Sequence, residues 1–127
     1  MIVVDASAMV ETLVGSDPAD ELLAALEGDV HAPTLLDVEV MSVLRGLELG
    51  KMLSAAQAAE ALDTYWSFSI QRHEVRLLRN RVWQLRHQFT SYDAQYIALA
   101  EALDTPLYTC DRKLAARGHG ANVRVQR

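Results

Sequence analysis

Short apolar runs that stop on an aspartate constrain this chain more than any other feature of it. Ile2-Val3-Val4 leads directly into Asp5, and Leu107-Tyr108-Thr109 is followed, past Cys110, by Asp111. A run so brief and so β-branched is a poor half-exposed strand, in which inward and outward residues alternate. It suits a strand buried on both faces of a parallel sheet. Helical patterns lie between such runs, and that alternation implies a parallel sheet with helices on both faces. A carboxylate just past a strand end then stands at the mouth of the sheet, where open α/β folds place their ligands.

The rest of the chain fits the same alternation. Ala6 to Val14 reads as a helix packing back on the first strand, and Asp17-Pro18 reads as the cap and first residue of a second helix through Leu22, Leu23 and Leu26 to Gly28. Val30-His31-Ala32 is a weak strand, turned by Pro33-Thr34 into a helix from Leu35 to Leu49 with Gly50 as its stop. Ser54 and Gln57 have capping-box spacing and open an alanine-rich helix to about Thr64. Phe68 to Arg72 alternates at period two and reads as a third strand. The next helix carries Val75, Leu78, Val82, Leu85 and Phe89 on one stripe and Arg76, Arg79 and Arg86 on its neighbour. The arginine stripe is a solvated face in the simplest reading, and a track for phosphates or an acidic partner in the other. Gly118-His119-Gly120 is a turn, and Val123-Arg124-Val125 can add an edge strand. At 127 residues the whole is expected to be one domain.

Two further acids fall on helix faces that should be buried. Thr90 and Ser91 are good N-cap residues, and the helix they open sets Asp93 on one face with Tyr96, Ile97 and Ala100 before ending near Asp104-Thr105-Pro106. Glu39 shares its face with Leu35, Leu36 and Val43, whereas Asp37 lies off it and is expected to be solvated. Each acid alone has a structural use, Asp93 as a first-turn helix acid and Asp111 as an N-cap. Together, Asp5, Glu39, Asp93 and Asp111 can share one sheet mouth. Two unit charges about 4 Å apart repel by roughly 4 kcal/mol at an effective dielectric of 20, so such a pocket demands protons or a cation. An all-carboxylate set suits Mg²⁺ or Mn²⁺, and the chemistry that follows is metal-assisted phosphodiester hydrolysis. Arg112 and Lys113 follow at the same mouth, where they can meet substrate phosphates or simply be solvated.

Composition narrows the classes. A net charge of −5 and a pI near 5.3 argue against a protein that coats nucleic acid through general basic charge. No apolar run approaches a membrane span, and the start lacks the basic and apolar regions of a signal peptide, so a cytoplasmic protein is expected. The single cysteine, Cys110, forms no internal disulfide and has no partner at zinc-ligand spacing. It reads as a small packing residue.

Val-Val-Asp-Ala-Ser at the start, Ala-Pro-Thr-Leu-Leu-Asp-Val-Glu, the Tyr-Asp-Ala helix start and the closing Thr-Cys-Asp together resemble a PIN-domain ribonuclease of the VapC toxin type, over nearly the whole chain. The resemblance implies a three-layer α/β/α sandwich with a mostly parallel sheet of order 3-2-1-4-5. It implies an Mg²⁺- or Mn²⁺-dependent endoribonuclease that dimerises and is inhibited by a cognate antitoxin. It maps the family's four acids onto Asp5, Glu39, Asp93 and Asp111, with Ser7 and Thr109 as hydrogen-bonding supports. Where some PIN domains carry a further acid this chain has Lys113, so the resemblance does not extend to that position of a second metal site and leaves one or two ions open. A receiver domain fits less well, because it needs paired acids after the first strand and an acid after the third. A haloacid-dehalogenase-like phosphatase would want an aspartate where Ser7 stands. A non-catalytic binding module on the same fold is the rival from a different class.

Overall fold

The computed structural model describes residues 1–127. Its centre is β1 (Ile2–Val4), every residue of which is buried, paired in parallel with β2 (Val30–Pro33) on one side and β4 (Leu107–Thr109) on the other. Register sets Val3 opposite both His31 and Leu107. Outside these lie β3 (Ile70–His73) and β5 (Val123–Val125), giving five parallel strands in the order β3-β2-β1-β4-β5. Burial on both faces explains the uninterrupted apolar runs of the inner strands.

Helices make the outer layers. On one side α1 (Ala6–Val14), α3 (Leu35–Leu49) and α4 (Ala55–Ser67) pack together, while α2 (Asp20–Leu26) touches α1. In the other layer α6 (Ser91–Leu103) crosses β1 and β2 and carries α5 (Arg79–Gln84). Residues Ala94, Tyr96, Ile97, Ala98, Leu99 and Ala100 of α6 are all buried, so this helix is the main body covering its side of the sheet. Ser54 and Gln57 form the expected capping box of α4, and the Thr90 hydroxyl accepts from the backbone N–H of Asp93 at the start of α6.

Several boundaries depart from the sequence reading. The second helix begins at Asp20 after an uncapped Ala19, because the Asp17 carboxylate faces Arg127 at 3.4 Å instead of capping. Gly50 caps α3, yet the left-handed residue beyond it is Lys51 (φ 60°). The fourth helix runs on to Ser67, and the third strand starts at Ile70 and ends at His73. The single stripe over residues 75–89 is broken into a 3₁₀ turn (Val75–Leu78), the short α5 and further turns. Leu78 leaves helical geometry (φ −107°, ψ 0°), so Leu78, Leu85 and Phe89 are buried while Val75 is exposed. Arg76, Arg79 and Arg86 are exposed; Arg79 and Arg86 donate to the carbonyls of Arg76 and Trp83, finishing open helix ends.

Candidate functional site

Asp5 is the most firmly held of the candidate acids. It is the N-cap of α1, and its Oδ1 accepts from the Ala8 backbone N–H at 3.0 Å and the Ser7 hydroxyl at 2.7 Å. Its Oδ2 accepts from the hydroxyl of Thr109, the last residue of β4. Both hydroxyl protons are thereby committed to Asp5, so the 3.2 Å contact between Ser7 and Thr109 carries none. The next two backbone N–H groups close the net: Cys110 donates to Ser7 Oγ at 2.8 Å and Asp111 to Thr109 Oγ1 at 2.9 Å. The ends of β1 and β4 are laced together around one carboxylate. Burial nevertheless pushes the Asp5 pKa up, with Thr109, Ala8 and Ser7 pulling it back and the charge of Asp93 adding to the rise.

Glu39 and Asp93 approach from the two helical layers. Glu39 lies in the second turn of α3, the helix that follows β2, and Asp93 in the first turn of α6. Burial raises the pKa of Glu39, and Asp5 and Asp93 both push it further. Burial also raises that of Asp93, followed by repulsion from Asp111, while Lys113 and Thr90 oppose the rise. The four acids are thus linked by repulsion, with Asp111 joined through Asp93. Asp111 N-caps the 3₁₀ turn Arg112–Ala115, accepting from the Lys113 backbone N–H at 3.0 Å. Asp93 and Lys113 border a cavity of about 330 Å³ also lined by Gln88, Phe89, Thr90 and Ala116. Arg112 and Lys113 are exposed.

None of the four acids takes part in a salt bridge. Buried carboxylates with a purely structural role are normally paired, so a repulsion that no salt bridge cancels and that Lys113 only partly offsets fits an all-oxygen cation site. The fit is not a finished cage, since no three acidic, imidazole or thiol groups are gathered as ready ligands.

Three placements differ from the sequence reading or escaped it. Asp37 is paired and only partly exposed: it accepts from the Tyr65 hydroxyl at 2.5 Å and from Arg72 Nε at 2.9 Å, because α4 and β3 fold over it. Val43 is exposed, so the face around Glu39 is only half buried. Tyr96, which the helical spacing marks only as core, donates its hydroxyl to Glu39 Oε1 at 2.5 Å. The available signal was a buried tyrosine, whose hydroxyl needs a partner, one turn from a candidate ligand.

The PIN domain family matches residues 2–119. The chain belongs to the PIN domain family. Among curated relatives of this PIN domain, ribonuclease VapC9 of Mycobacterium tuberculosis is 42% identical over 93% of this chain and 91% of its own length. Ribonuclease VapC1 of the same organism is 46% identical over 90% and 88%, and ribonuclease VapC12 is 35% identical over 99% and 98%. The chain is therefore a homologue of VapC ribonucleases over nearly its full length. Among solved structures, Mycobacterium tuberculosis VapC20, described as a Sarcin-Ricin loop cleaving toxin, superposes with a TM-score of 0.70 at 17% identity, covering 100% of both chains. VapBC2 of Rickettsia felis, bound to a DNA fragment from its promoter, gives 0.65 at 15% identity, again over 100% of each. At those identities the likeness is one of fold.

Proposed function

We propose that this PIN domain is an Mg²⁺- or Mn²⁺-dependent endoribonuclease of the VapC toxin type, acting in the cytoplasm. The observation that supports the reading is Asp5 held by Ser7, Thr109 and the Ala8 N–H at the ends of β1 and β4, with neither it nor Glu39, Asp93 or Asp111 in a salt bridge. Those four would hold the divalent ion. When bound, the ion supplies Lewis-acid stabilisation for charge building on the phosphoryl oxygens. Ser7, Thr109 and the Ala8 N–H orient Asp5, and the Asp111 N–H fixes the Thr109 hydroxyl that does so. Arg112 and Lys113, exposed beside the acids, are assigned to RNA phosphates, which they can neutralise without sequence preference.

The proposal extends to partners: the chain works as a homodimer and is neutralised by a cognate VapB-type antitoxin. Homology to VapC ribonucleases supports this, as does apolar surface left open on the α3–α4 hairpin at Val38, Met41, Leu49, Met52 and Trp66. The purified chain should cut RNA only with Mg²⁺ or Mn²⁺, with one set of new 5′ ends appearing after a short expression pulse. Metal-loaded protein that leaves RNA intact would move the assignment to a non-catalytic binding module. Absence of a complex with the product of the adjacent open reading frame would remove the antitoxin part alone.

A further inference from the structure

Tyr96 is 1% exposed, and a phenol so deeply placed must have its hydroxyl satisfied. Its partner is Glu39, on a different helix and 57 residues away in sequence. Tyr96 lies one turn after Asp93 on α6, so a single helix carries one candidate ligand and the clamp on another. Glu39 is half buried, belongs to no salt bridge and feels the charges of Asp5 and Asp93. No other group donates to its carboxylate. The bond occupies Oε1 and leaves Oε2 to accept a ligand.

We propose that Tyr96 is a positioning residue of the site, its buried hydroxyl holding Glu39 so that the second carboxylate oxygen faces a bound divalent cation. This rests on the reading of Glu39 as a metal ligand. It assigns the tyrosine no contact with RNA or ion. Groups that orient a metal ligand in this way are commonly worth about 10–100-fold in metal affinity.

The test is Mn²⁺ binding, followed by the electron paramagnetic resonance signal of the free ion, for the full-length wild type, Tyr96→Phe and Glu39→Gln. Tyr96→Phe should raise the Mn²⁺ dissociation constant by about 10–100-fold while the variant, whose melt in chelator is followed alongside, remains folded at the temperature of the titration. Wild-type affinity in Tyr96→Phe, with binding lost in Glu39→Gln, overturns the role of Tyr96 and leaves the acid site standing. A wild-type chain that binds no Mn²⁺ overturns both. Should Tyr96→Phe melt early, 3-fluorotyrosine labelling replaces it. The Tyr96 fluorine resonance should then shift on adding Mg²⁺ to the wild type and stay still in Glu39→Gln. A resonance indifferent to Mg²⁺ in a chain that binds Mn²⁺ overturns the proposal.

Discussion

Replacing Thr109 by valine keeps most of the side-chain shape and deletes the hydroxyl that joins β4 to Asp5. Thr109 is fully buried, so water cannot take over its bonds. The change removes a hydrogen bond to a carboxylate, worth about 1.5–3 kcal/mol, and strands the Asp111 N–H that donated to Thr109, worth about 1 kcal/mol more. A loss of about 3 kcal/mol is expected, against about 1 kcal/mol for Thr109→Ser, which keeps the hydroxyl and loses one methyl group. With a urea slope of about 2 kcal/mol/M, the valine midpoint should fall by about 1.5 M. The deficit also carries a pH signature. Thr109 holds the pKa of Asp5 below where burial alone would put it, so its loss raises that pKa further. The valine deficit is therefore full above the folded-state pKa of Asp5 and shrinks as pH falls and Asp5 takes a proton in both proteins. Urea titrations of wild type and both variants, in chelator at neutral and acidic pH, measure this. Equal midpoints for valine and serine variants, or a valine deficit that grows in acid, would refute the reasoning.

Asp93→Asn should abolish metal-dependent RNA cleavage while raising stability in chelator by on the order of 1 kcal/mol, because a repelling charge is removed from beside Asp111 and Glu39; a variant that melts lower in chelator and still cleaves at the wild-type rate refutes this. The raised pKa values of Asp5, Glu39 and Asp93 mean that the metal-free fold holds their protons more tightly than the unfolded chain does. Stability in chelator is therefore favoured near the ordinary carboxylate values of 3.8 and 4.5 and lost as pH rises through the raised ones. Arg81 holds Glu101 low and gives the opposite slope in acid, so melting temperatures should be compared above about pH 5, where the chelator series must fall more steeply than the Mg²⁺ series. Gly118→Ala should cost more than about 1 kcal/mol, because φ is +114° and a methyl group there would collide with the Gln88 side chain that donates to the Arg117 carbonyl; a wild-type melting temperature would contradict it.

What could be read from sequence follows from the range of the interactions involved. β1 and β4 were legible because a strand buried on both faces writes a continuous apolar run, and the caps at Ser54 and Thr90 because they act within one turn. Asp5 and Asp111 could be placed at strand ends for the same local reason. Asp37 could not be placed correctly, since its partners Tyr65 and Arg72 lie 28 and 35 residues away and reach it only through the α3–α4 turn and β3. Arg81 carries no local signal of its role, a two-point bridge to Glu101 on α6, 20 residues on. The stripe over residues 75–89 misled because helical periodicity assigns faces only while the helix continues, and Leu78 interrupts it.

The candidate acids combine two opposed devices. Asp5 and Glu39 are held by hydrogen bonds, which favour their ionised forms, while burial and mutual repulsion disfavour ionisation. A purely structural cluster would lower its free energy by admitting a lysine or arginine. Such residues are close at hand: Lys113 borders the same cavity as Asp93 but makes no salt bridge with it. Hydrogen bonding fixes direction without cancelling charge, so the acids stay aimed and stay repelling. That combination is what a site for a small hard cation needs, because the free energy released when the repulsion is relieved adds to binding, and little of it is spent on turning Asp5 or Glu39 into place. Asp111, held by the single Lys113 N–H, and Asp93, half-buried in the first turn of α6, are fixed less firmly than Asp5, in keeping with acids that do not form a closed cage.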